Sequence, residues 1–525
     1  MTEVRDIDVL ILGGGINGCG TFRDLCAQGV DCLLLEREDF CAGASSASSR
    51  LMHGGLKYLE TGEFRLVRES AEERNRLLRN AAHYVSPLPT ILPLRSRFGG
   101  IVPSILRFCR LNAKMNDRGS LITWLGLSLY DFFGRNFRVM PNHKMLSRKR
   151  LDRTIAGLDE DITGAGLYYE GQISHAERLG LELILDGEQL NPGSRALNHV
   201  TVEGQENGVV TYVHDGGTQR IRPRLIVNAG GAWIDGVNES LGIPGKLMGG
   251  SKGGHLVVDN PELLAALDGH MVYFGTADGR VNLVYPFMGK VLVGSTDIKI
   301  DNPDDAVCDD EETNYLRAVV TEVFPDLPIS EDQVLHRFSG VRPLPSAEGD
   351  IGLVTRDHSI AEKSLADGTP VLCLIGGKWT TFRGFSEQVS DKILTMLARP
   401  RLRSTEEMQI GGGKNYPSPE TRADWITQCA NESGLPIERV GALLKRYGTR
   451  AAEIARDLGP DRPLAALPDY SVEELAWIIR NERVGTLDDL LRRRTTIEIS
   501  GALTPAVRDE ITGLYEKIRG SAVAC

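Results

Sequence analysis

The feature that most constrains this chain lies at its start. Val9-Leu10-Ile11-Leu12 is a short apolar run ending in Gly13-Gly14-Gly15, the segment to Gln28 has helical composition with Gly29 as its stop, and Cys32-Leu33-Leu34-Leu35 is apolar again. Strand, helix, strand is the opening unit of a doubly wound parallel sheet, whose ligands sit at the carboxyl ends of the strands. Gly13-x-Gly15-x-x-Gly18 occupies the turn, and Glu36 ends the second strand 21 residues past Gly15, near the spacing of about 20 that a dinucleotide fingerprint needs. Glycines let backbone approach a pyrophosphate, a helix N-terminus offers amides and positive dipole, and Glu36 can accept from ribose hydroxyls. A lone motif of this kind arises by chance. Strand, helix and acid in register argue for a dinucleotide site, without saying which dinucleotide.

Further along, Gly62 to Asn80 reads as a helix and Leu167 to Gln189 contains another long helix-like stretch, while Tyr212-Val213, Leu225 to Val227, His255 to Val258, Asn282 to Tyr285 and Val291 to Val293 are short β-rich runs broken by Gly, Pro and Asp. These predict a second sheet covering a substrate. Asn228-Ala229-Gly230-Gly231 is another glycine turn at a strand end, where Gly230 could face the same ligand. Gly411-Gly412-Gly413-Lys414 reads as a linker, and the remainder to Cys525 has helix-like runs such as Ile437 to Tyr447 and Val472 to Arg480 without strand patterning. The expected architecture is α/β: a doubly wound, Rossmann-like domain with an interleaved β-sheet substrate domain, together spanning 1–400, and a C-terminal helical domain over 411–525. Within the first, nucleotide-binding segments are expected near 6–90, 150–235 and 340–400, with the substrate sheet inserted mainly at 240–340.

Composition narrows the partners. The 525 residues carry 60 Lys and Arg against 71 Asp and Glu, a net charge of −11, so nothing attracts nucleic acid globally and any anionic ligand must be held locally. Nine scattered cysteines without CxxC pairs read as reduced thiols of a cytoplasmic chain, with no metal site implied. No run of 18 apolar residues suggests a spanning helix, and the charged start disfavours a signal peptide.

At Gly13 to Gly18, Ser45-Ser46-Ala47-Ser48-Ser49-Arg50-Leu51-Met52-His53-Gly54-Gly55-Leu56-Lys57-Tyr58-Leu59-Glu60, Ser339 to Leu344 and Gly376-Gly377-Lys378-Trp379-Thr380-Thr381, the chain resembles the FAD-dependent glycerol-3-phosphate dehydrogenases. The resemblance spans about residues 6 to 400 in order, and Glu482 to Thr495 resembles that family's C-terminal helical domain. It implies FAD rather than NAD, a flavoprotein fold shared with amino-acid oxidases, and electron delivery to membrane quinone. By the same resemblance Gly13, Gly15, Gly18 and Glu36 hold the adenine side, Ser45, Ser46 and Ser49 the pyrophosphate, and His53, Gly54, Gly55 and Leu56 the flavin side, with Gly230, Gly377, Lys378 and Thr380 also on the cofactor. Lys57, Tyr58, His255, Arg342 and Lys378 match positions around the bound substrate.

The chemistry agrees with the residue types. A phosphomonoester dianion on an acidic protein needs local cations, for which Arg342 and Lys57 are candidates with Tyr58 as a donor. Hydride removal from a carbinol carbon needs the hydroxyl proton taken at the same time. His255 is the candidate base, with Arg342 or Lys378 polarising the developing alkoxide. Two departures from the family pattern, Lys57 for Arg and Gly254 for Ser, suggest a changed lining with more room. The expected reaction is therefore oxidation of sn-glycerol 3-phosphate to dihydroxyacetone phosphate, with a tetritol (erythritol) phosphate as the alternative substrate. An oxygen-reducing oxidase and a non-catalytic dinucleotide-binding regulatory protein are the other readings.

Between Ile91 and Arg118 six basic residues accompany one acid, and Pro103 could start a helix carrying Ile105, Leu106, Phe108, Cys109 and Leu111 beside Arg107 and Arg110. That pattern suits an interfacial helix, and with quinone as acceptor it suggests peripheral attachment on the cytoplasmic face of the membrane. The sequence leaves oligomeric state open, a homodimer included.

Overall fold

Val9 to Leu12 are at most 3 % exposed because β1 (Val4–Leu12) lies between two parallel neighbours, β2 (Cys32–Leu35) and β10 (Gly217–Asn228), with helices over the sheet. A strand covered on both faces must be apolar at consecutive positions rather than alternate ones, which is why the run is continuous. The computed structural model describes residues 3–59, 62–96, 119–136, 138–276, 280–345 and 357–523, with the Lys57 side chain also outside the described part. Among these, the first sheet has eight strands. Its main path is β17 (Ser359–Ser364), β18 (Pro370–Ile375), β10, β1, β2 and β7 (Arg195–Leu197), with β8 (Thr201–Glu206) and β9 (Val209–His214) extending from β10.

Helices α1 (Ile16–Ala27), α4 (Ala176–Leu190) and α6 (Phe382–Met396) pack together beside this sheet. Small residues set how closely. A Cβ on Gly20 would lie 2.8 Å from the Phe382 ring, and one on Gly187 would lie 2.7 Å from Phe22. The cluster around Val9, Ile11, Phe22, Leu34, Ile184, Val227 and Phe385 is the core of this domain, each such side chain contributing about 1.5–3 kcal/mol by leaving water.

The second sheet has ten strands in the order β15 (Ile298–Ile300), β11 (Met248–Val258), β14 (Lys290–Gly294), β13 (Val281–Phe287), β12 (Met271–Gly275), β4 (Val85–Leu94), β6 (Gly164–Ile173) and β3 (Leu51–Met52), with β16 (Val334–Pro345) also on β11 and β5 (Lys144–Ser147) also on β6. Helix α5 (Asp310–Thr321) covers one face, closing a core of Leu256, Val258, Val291 and Val293 against Leu316, Val320 and Phe324. Two further helices, α2 (Phe64–Asn80) and α3 (Ser120–Phe133), lie against β4 and β6.

The structure adds detail to the expected layout. It draws strands from 85–94, 144–147 and 164–173 as well as from 248–345, so the segments expected to bind nucleotide also build the substrate layer. The helix-like stretch expected within Leu167 to Gln189 is α4, which starts at Ala176, while ahead of it Gly164–Ile173 pairs along its whole length with β4. Long-range pairing outranks local propensity there. Gly411 to Gly413 form a buried turn rather than a loose linker, with the amides of Gly411 and Gly412 donating to Asp186 (3.1 Å) and Glu182 (3.1 Å).

The C-terminal domain packs α7 (Arg422–Ser433), α8 (Ile437–Tyr447), α9 (Ala451–Leu458), α10 (Val472–Asn481) and α11 (Pro505–Val523) around Val440, Leu443, Ile454, Leu475, Ile478 and Ile511. It is joined to the first domain by buried charge pairs: Arg178 grips Glu482 with two bonds of 2.7 and 2.8 Å, and Arg494 grips Asp39 with two of 2.5 and 2.8 Å. The Glu482 to Thr495 segment thus supplies the acid of one fork and the arginine of the other, and its Arg483 donates to Glu188. Removing one partner strands the other in a dry seam, so Asp39→Ala is expected to lower unfolding free energy by about 3–5 kcal/mol. Urea unfolding followed by tryptophan fluorescence measures this; a loss below about 1 kcal/mol, the scale of an exposed pair, would show that the seam does not depend on the pair.

Candidate active site

One cavity of about 2190 Å³ runs from the carboxyl end of β1 to the second sheet, well beyond the roughly 300–1,000 Å³ that suits a drug-sized ligand. Gly13, Gly15, Glu36, Ser45, Ser49, His53, Gly55, Leu56, Tyr58, Gly230, His255, Arg342, Gly377, Lys378 and Thr380 all line it. Gly18, Ser46 and Gly54 do not. The Lys57 side chain lies outside the described residues.

At the nucleotide end, Gly13 has φ of +110°, and a Cβ there would collide with the Ala229 carbonyl at 2.6 Å. Gly18 serves the approach of helix to strand, since a Cβ on it would sit 2.0 Å from the Gly13 oxygen. No side chain caps α1 at Gly15. The Ile16 amide is taken by Ser45 Oγ at 3.0 Å, which leaves that hydroxyl's own hydrogen to donate. The Glu36 carboxylate accepts from the amides of Gly14 (2.6 Å) and Glu38 (2.8 Å). Burial pushes its carboxyl above the usual range, and those two amides oppose the shift. Ser46 is a correction: its hydroxyl donates to the Ala42 and Gly43 carbonyls at 3.1 and 3.0 Å and closes the local turn instead of facing the cavity.

The middle of the cavity is walled by the His53–Leu56 segment and by the turn before α6. Thr380 Oγ1 donates to the His53 carbonyl at 3.1 Å, tying the two together. Lys378 Nζ lies 3.9 Å from the centre of the Tyr58 ring, a cation–π contact that fixes where the ammonium points. Gly54 departs from expectation. A Cβ on it would meet the Tyr130 hydroxyl at 2.3 Å, so it makes room for a protein side chain behind the cavity rather than for a ligand in it.

At the far end His255 on β11 and Arg342 on β16 share the lining. Gly253 exists for Arg342, whose guanidinium would overlap any Cβ there, at 2.2 Å. One guanidinium nitrogen donates to Ser295 Oγ (2.9 Å) and the Thr296 carbonyl (3.0 Å), the other to Asp297 (3.2 Å) and the Lys252 carbonyl (3.3 Å). His255 is stacked on Phe338 at 4.9 Å and 7°, and its Nε2 is 2.8 Å from Ser49 Oγ. Ser49, expected on the pyrophosphate, therefore partners the imidazole. Burial first and the positive field of Arg342 second pull the His255 pKa down to about 3, against an opposing bond from the Gly253 backbone, so the ring is neutral at physiological pH.

Gly254 adds no room to this cavity. A Cβ there would meet Cys308 Sγ and Glu312 Oε1, both at 2.9 Å; the space left by the missing side chain is already filled by groups behind the strand.

Sequence reasoning missed Asn17, Asp297 and Arg493. Asn17 Nδ2 donates to the Gly376 carbonyl at 3.1 Å while its buried Oδ1 has no partner among the described residues. Arg493 comes from the C-terminal domain to line the cavity, with its buried Nε without a partner among the described residues. Only the arginine run itself signalled the latter. Two groupings with metal-like spacing, Asp39, His199, Asp489 and Glu69, Asp357, His358, are each engaged by an arginine, Arg494 on Asp39 and Arg65 on Asp357.

These residues fit FAD. Backbone glycines and an uncapped helix start meet the needs of a pyrophosphate, Glu36 those of a ribose, and an orphaned buried oxygen on Asn17 awaits a donor. The chain matches the family model of FAD dependent oxidoreductases over residues 8–381 and that of the C-terminal domain of alpha-glycerophosphate oxidase over 403–517. It is 34 % identical to a glycerol-3-phosphate dehydrogenase of Synechocystis sp. over 524 residues, covering 93 % of this chain and 88 % of that protein. It is 31 % identical to the D-erythritol 1-phosphate dehydrogenase of Brucella abortus over 511 residues, covering 94 % and 95 %. The crystal structure of glycerol-3-phosphate dehydrogenase from Bacillus halodurans complexed with FAD superposes with a TM-score of 0.73 at 22 % identity, covering 99 % of this chain and 92 % of that one.

The neutral imidazole has a measurable consequence. The folded state holds fewer protons on His255 than the unfolded chain between about pH 3 and the free histidine value of about 6.5, so this residue's contribution to stability is full above that window and is lost as pH falls through it. His255→Asn should flatten the acid side of a stability–pH profile over this window. An unchanged slope would show that the ring takes up its proton in the folded protein.

Proposed function

Because the chain belongs to the FAD dependent oxidoreductase family and carries the C-terminal domain of alpha-glycerophosphate oxidase, we propose that it oxidises a polyol phosphate, sn-glycerol 3-phosphate first, to the corresponding ketose phosphate, dihydroxyacetone phosphate. The observation that carries this reading is convergence. His255, Arg342, Lys378 and Tyr58, drawn from four separate segments, line the same cavity as the nucleotide-binding glycines.

FAD bound in this cavity supplies the acceptor for the hydride that leaves the carbinol carbon. The chain's own residues do the rest. Arg342, held rigid by Ser295, Thr296 and Asp297, presents a fixed positive charge for the phosphate, with Lys57 as second cation and the Tyr58 hydroxyl as a donor. His255 stands ready in the neutral form, the form that can take the hydroxyl proton, with Ser49 fixing its orientation. A dianionic phosphate offsets the field of Arg342 that helps depress the imidazole, so substrate itself moves His255 toward a useful basicity. Lys378, steadied by the Tyr58 ring, is placed to polarise the developing alkoxide.

The tetritol phosphate alternative keeps two supports, Lys57 in place of the family's Arg and the similarity to the erythritol 1-phosphate enzyme. The room expected at Gly254 no longer argues for it. Membrane quinone as electron acceptor and peripheral attachment to the membrane belong to the same proposal. No described helix is long and apolar enough to cross a bilayer. The basic helix expected from Pro103 lies outside the described residues, and Arg95, at the edge of that segment, is engaged by Asp159 (3.2 Å) and the Glu322 carbonyl (2.8 Å).

Anaerobic mixing of the yellow holoenzyme with glycerol 3-phosphate should bleach the flavin faster than mixing with erythritol phosphates, and dihydroxyacetone phosphate should appear in equal amount. Arg342→Ala should raise KM roughly 30-fold or more, the equivalent of about 2 kcal/mol for a lost charged contact. No bleaching by any phosphorylated polyol would overturn the reading, and faster bleaching by a tetritol phosphate would transfer it to that substrate.

A further inference from the structure

The His255 imidazole sits in a slot built by its cross-strand neighbours. On β11 it stands directly opposite Gly294 of β14 on one side and Phe338 of β16 on the other. A Cβ on Gly294 would lie 2.2 Å from the imidazole Cδ2 and 2.8 Å from Nε2, so that glycine clears the space into which the ring leans. The Phe338 ring lies almost parallel to the imidazole, with 7° between planes and 4.9 Å between centres. Ser49 Oγ, 2.8 Å from Nε2, holds one atom of the ring. A single hydrogen bond leaves the plane free to turn, and a flat partner on the face removes that freedom. Phe338 does not line the cavity, so its bearing on the reaction passes through the ring it touches.

Phe338 is itself steadied from the C-terminal domain. Positions 336 and 338 share a face of β16, and the His336 ring stacks on Phe338 at 5.8 Å and 25°. His336 Nδ1 lies 3.9 Å from Glu498, a carboxylate that accepts from Arg492 at 2.7 Å. Ile499 packs into the same apolar cluster as Phe338. Two rings thus connect the C-terminal domain to the imidazole.

The charges that bear on His255 are those of Arg342 on β16 and, more weakly, Arg50 ahead of β3. Gly294 and Phe338 bring none. The Tyr285 hydroxyl of β13 donates to the Ser49 carbonyl at 3.0 Å, and burial pushes its pKa up, so it stays protonated. Burial also holds His336 below its ordinary value, against the pull of Glu498, so the stack is uncharged at neutral pH.

We propose that Phe338 is the positioning residue that fixes the plane of the His255 ring, and that the C-terminal domain steadies it through His336 and Ile499. The inference rests on the reading of His255 as the group that takes the hydroxyl proton. A nitrogen lone pair lies in the imidazole plane, so the plane decides from which direction a proton can arrive; phosphate binding by Arg342 does not depend on it. The proposal deepens that reading by separating the residue that takes the proton from those that aim it.

The test joins nitrogen NMR of the resting holoenzyme, isotope-labelled at histidine, to stopped-flow bleaching by glycerol 3-phosphate. In the parent the two ring nitrogens of His255, assigned by their loss in His255→Asn, should give well-separated signals of one tautomer. Phe338→Leu, which keeps apolar volume and removes the flat face, should draw the two signals together, while Phe338→Tyr should keep them apart. His336→Ala should act as Phe338→Leu does, more weakly, and it keeps the test open should Phe338→Leu fail to fold. Flavin reduction should slow roughly 10- to 100-fold in Phe338→Leu, the scale of a misaimed group. The dissociation constant for glycerol 3-phosphate should stay within about 2-fold of the parent's. In a His255→Asn background Phe338→Leu should cost nothing further.

Unchanged nitrogen signals in Phe338→Leu, or bleaching as fast as in the parent, overturns the positioning role. So does an equal loss of rate in the His255→Asn background, which would mark Phe338 as packing alone. A His336→Ala protein identical to the parent overturns the part given to the C-terminal domain. Nitrogen signals as expected, beside a flavin that no polyol phosphate bleaches, would sink the substrate reading alone.

Discussion

The rest of the structure depends on how closely backbone meets backbone at the carboxyl end of β1. Gly13 and Gly18 touch across the strand-to-helix turn, with no room for a Cβ on either, and that contact aims the start of α1 into the cavity. On a chain with more acids than bases, phosphate groups cannot be attracted by overall charge. They need fixed local donors, and under the proposed function these are amides at one end of the cavity and the cation of Arg342 at the other. The two sheets hold these two ends of one cavity.

Buried, paired charges support that arrangement. Arg494 on Asp39 and Arg178 on Glu482 fasten the C-terminal domain to the nucleotide-binding domain, Arg50 on Glu177 braces the end of the serine-rich loop, and Arg74 with Glu170 and Tyr130 backs the His53–Gly55 turn. Buried ion pairs contribute little net stability compared with apolar packing, but breaking one is costly. They therefore favour a single arrangement of domains around the cavity. Arg493, which reaches the cavity from the C-terminal domain, gives that arrangement a direct bearing on the site.

The local elements were legible where one physical rule governs. The β1–α1–β2 unit, the helix over Phe64–Asn80 and the C-terminal helix Ile437–Tyr447 follow from hydrophobic period and glycine punctuation. Motif context singled out the candidate site residues, and His255, Arg342, Lys378 and Tyr58 line one cavity. What stayed hidden depends on partners distant in sequence. Gly164–Ile173 is a strand because of β4, Gly411 to Gly413 are buried because of Glu182, Asp186 and Tyr447, and Gly254 opens no space because Cys308 and Glu312 occupy it. Gly54 looked like a ligand-facing glycine and proves to face Tyr130, 76 residues away. No single-residue rule distinguishes a glycine that admits a ligand from one that admits a side chain.

The central claim is that a carbinol hydrogen leaves as hydride toward a flavin in this cavity while Arg342 holds the phosphate. Stopped-flow reduction of the anaerobic holoenzyme by glycerol 3-phosphate deuterated at its central carbon tests it most directly. Reduction slower with deuterium than with hydrogen, and bringing flavin fully to its two-electron reduced form, is the predicted result; equal rates with a chemical step shown to be limiting, or no reduction at all, would contradict the account.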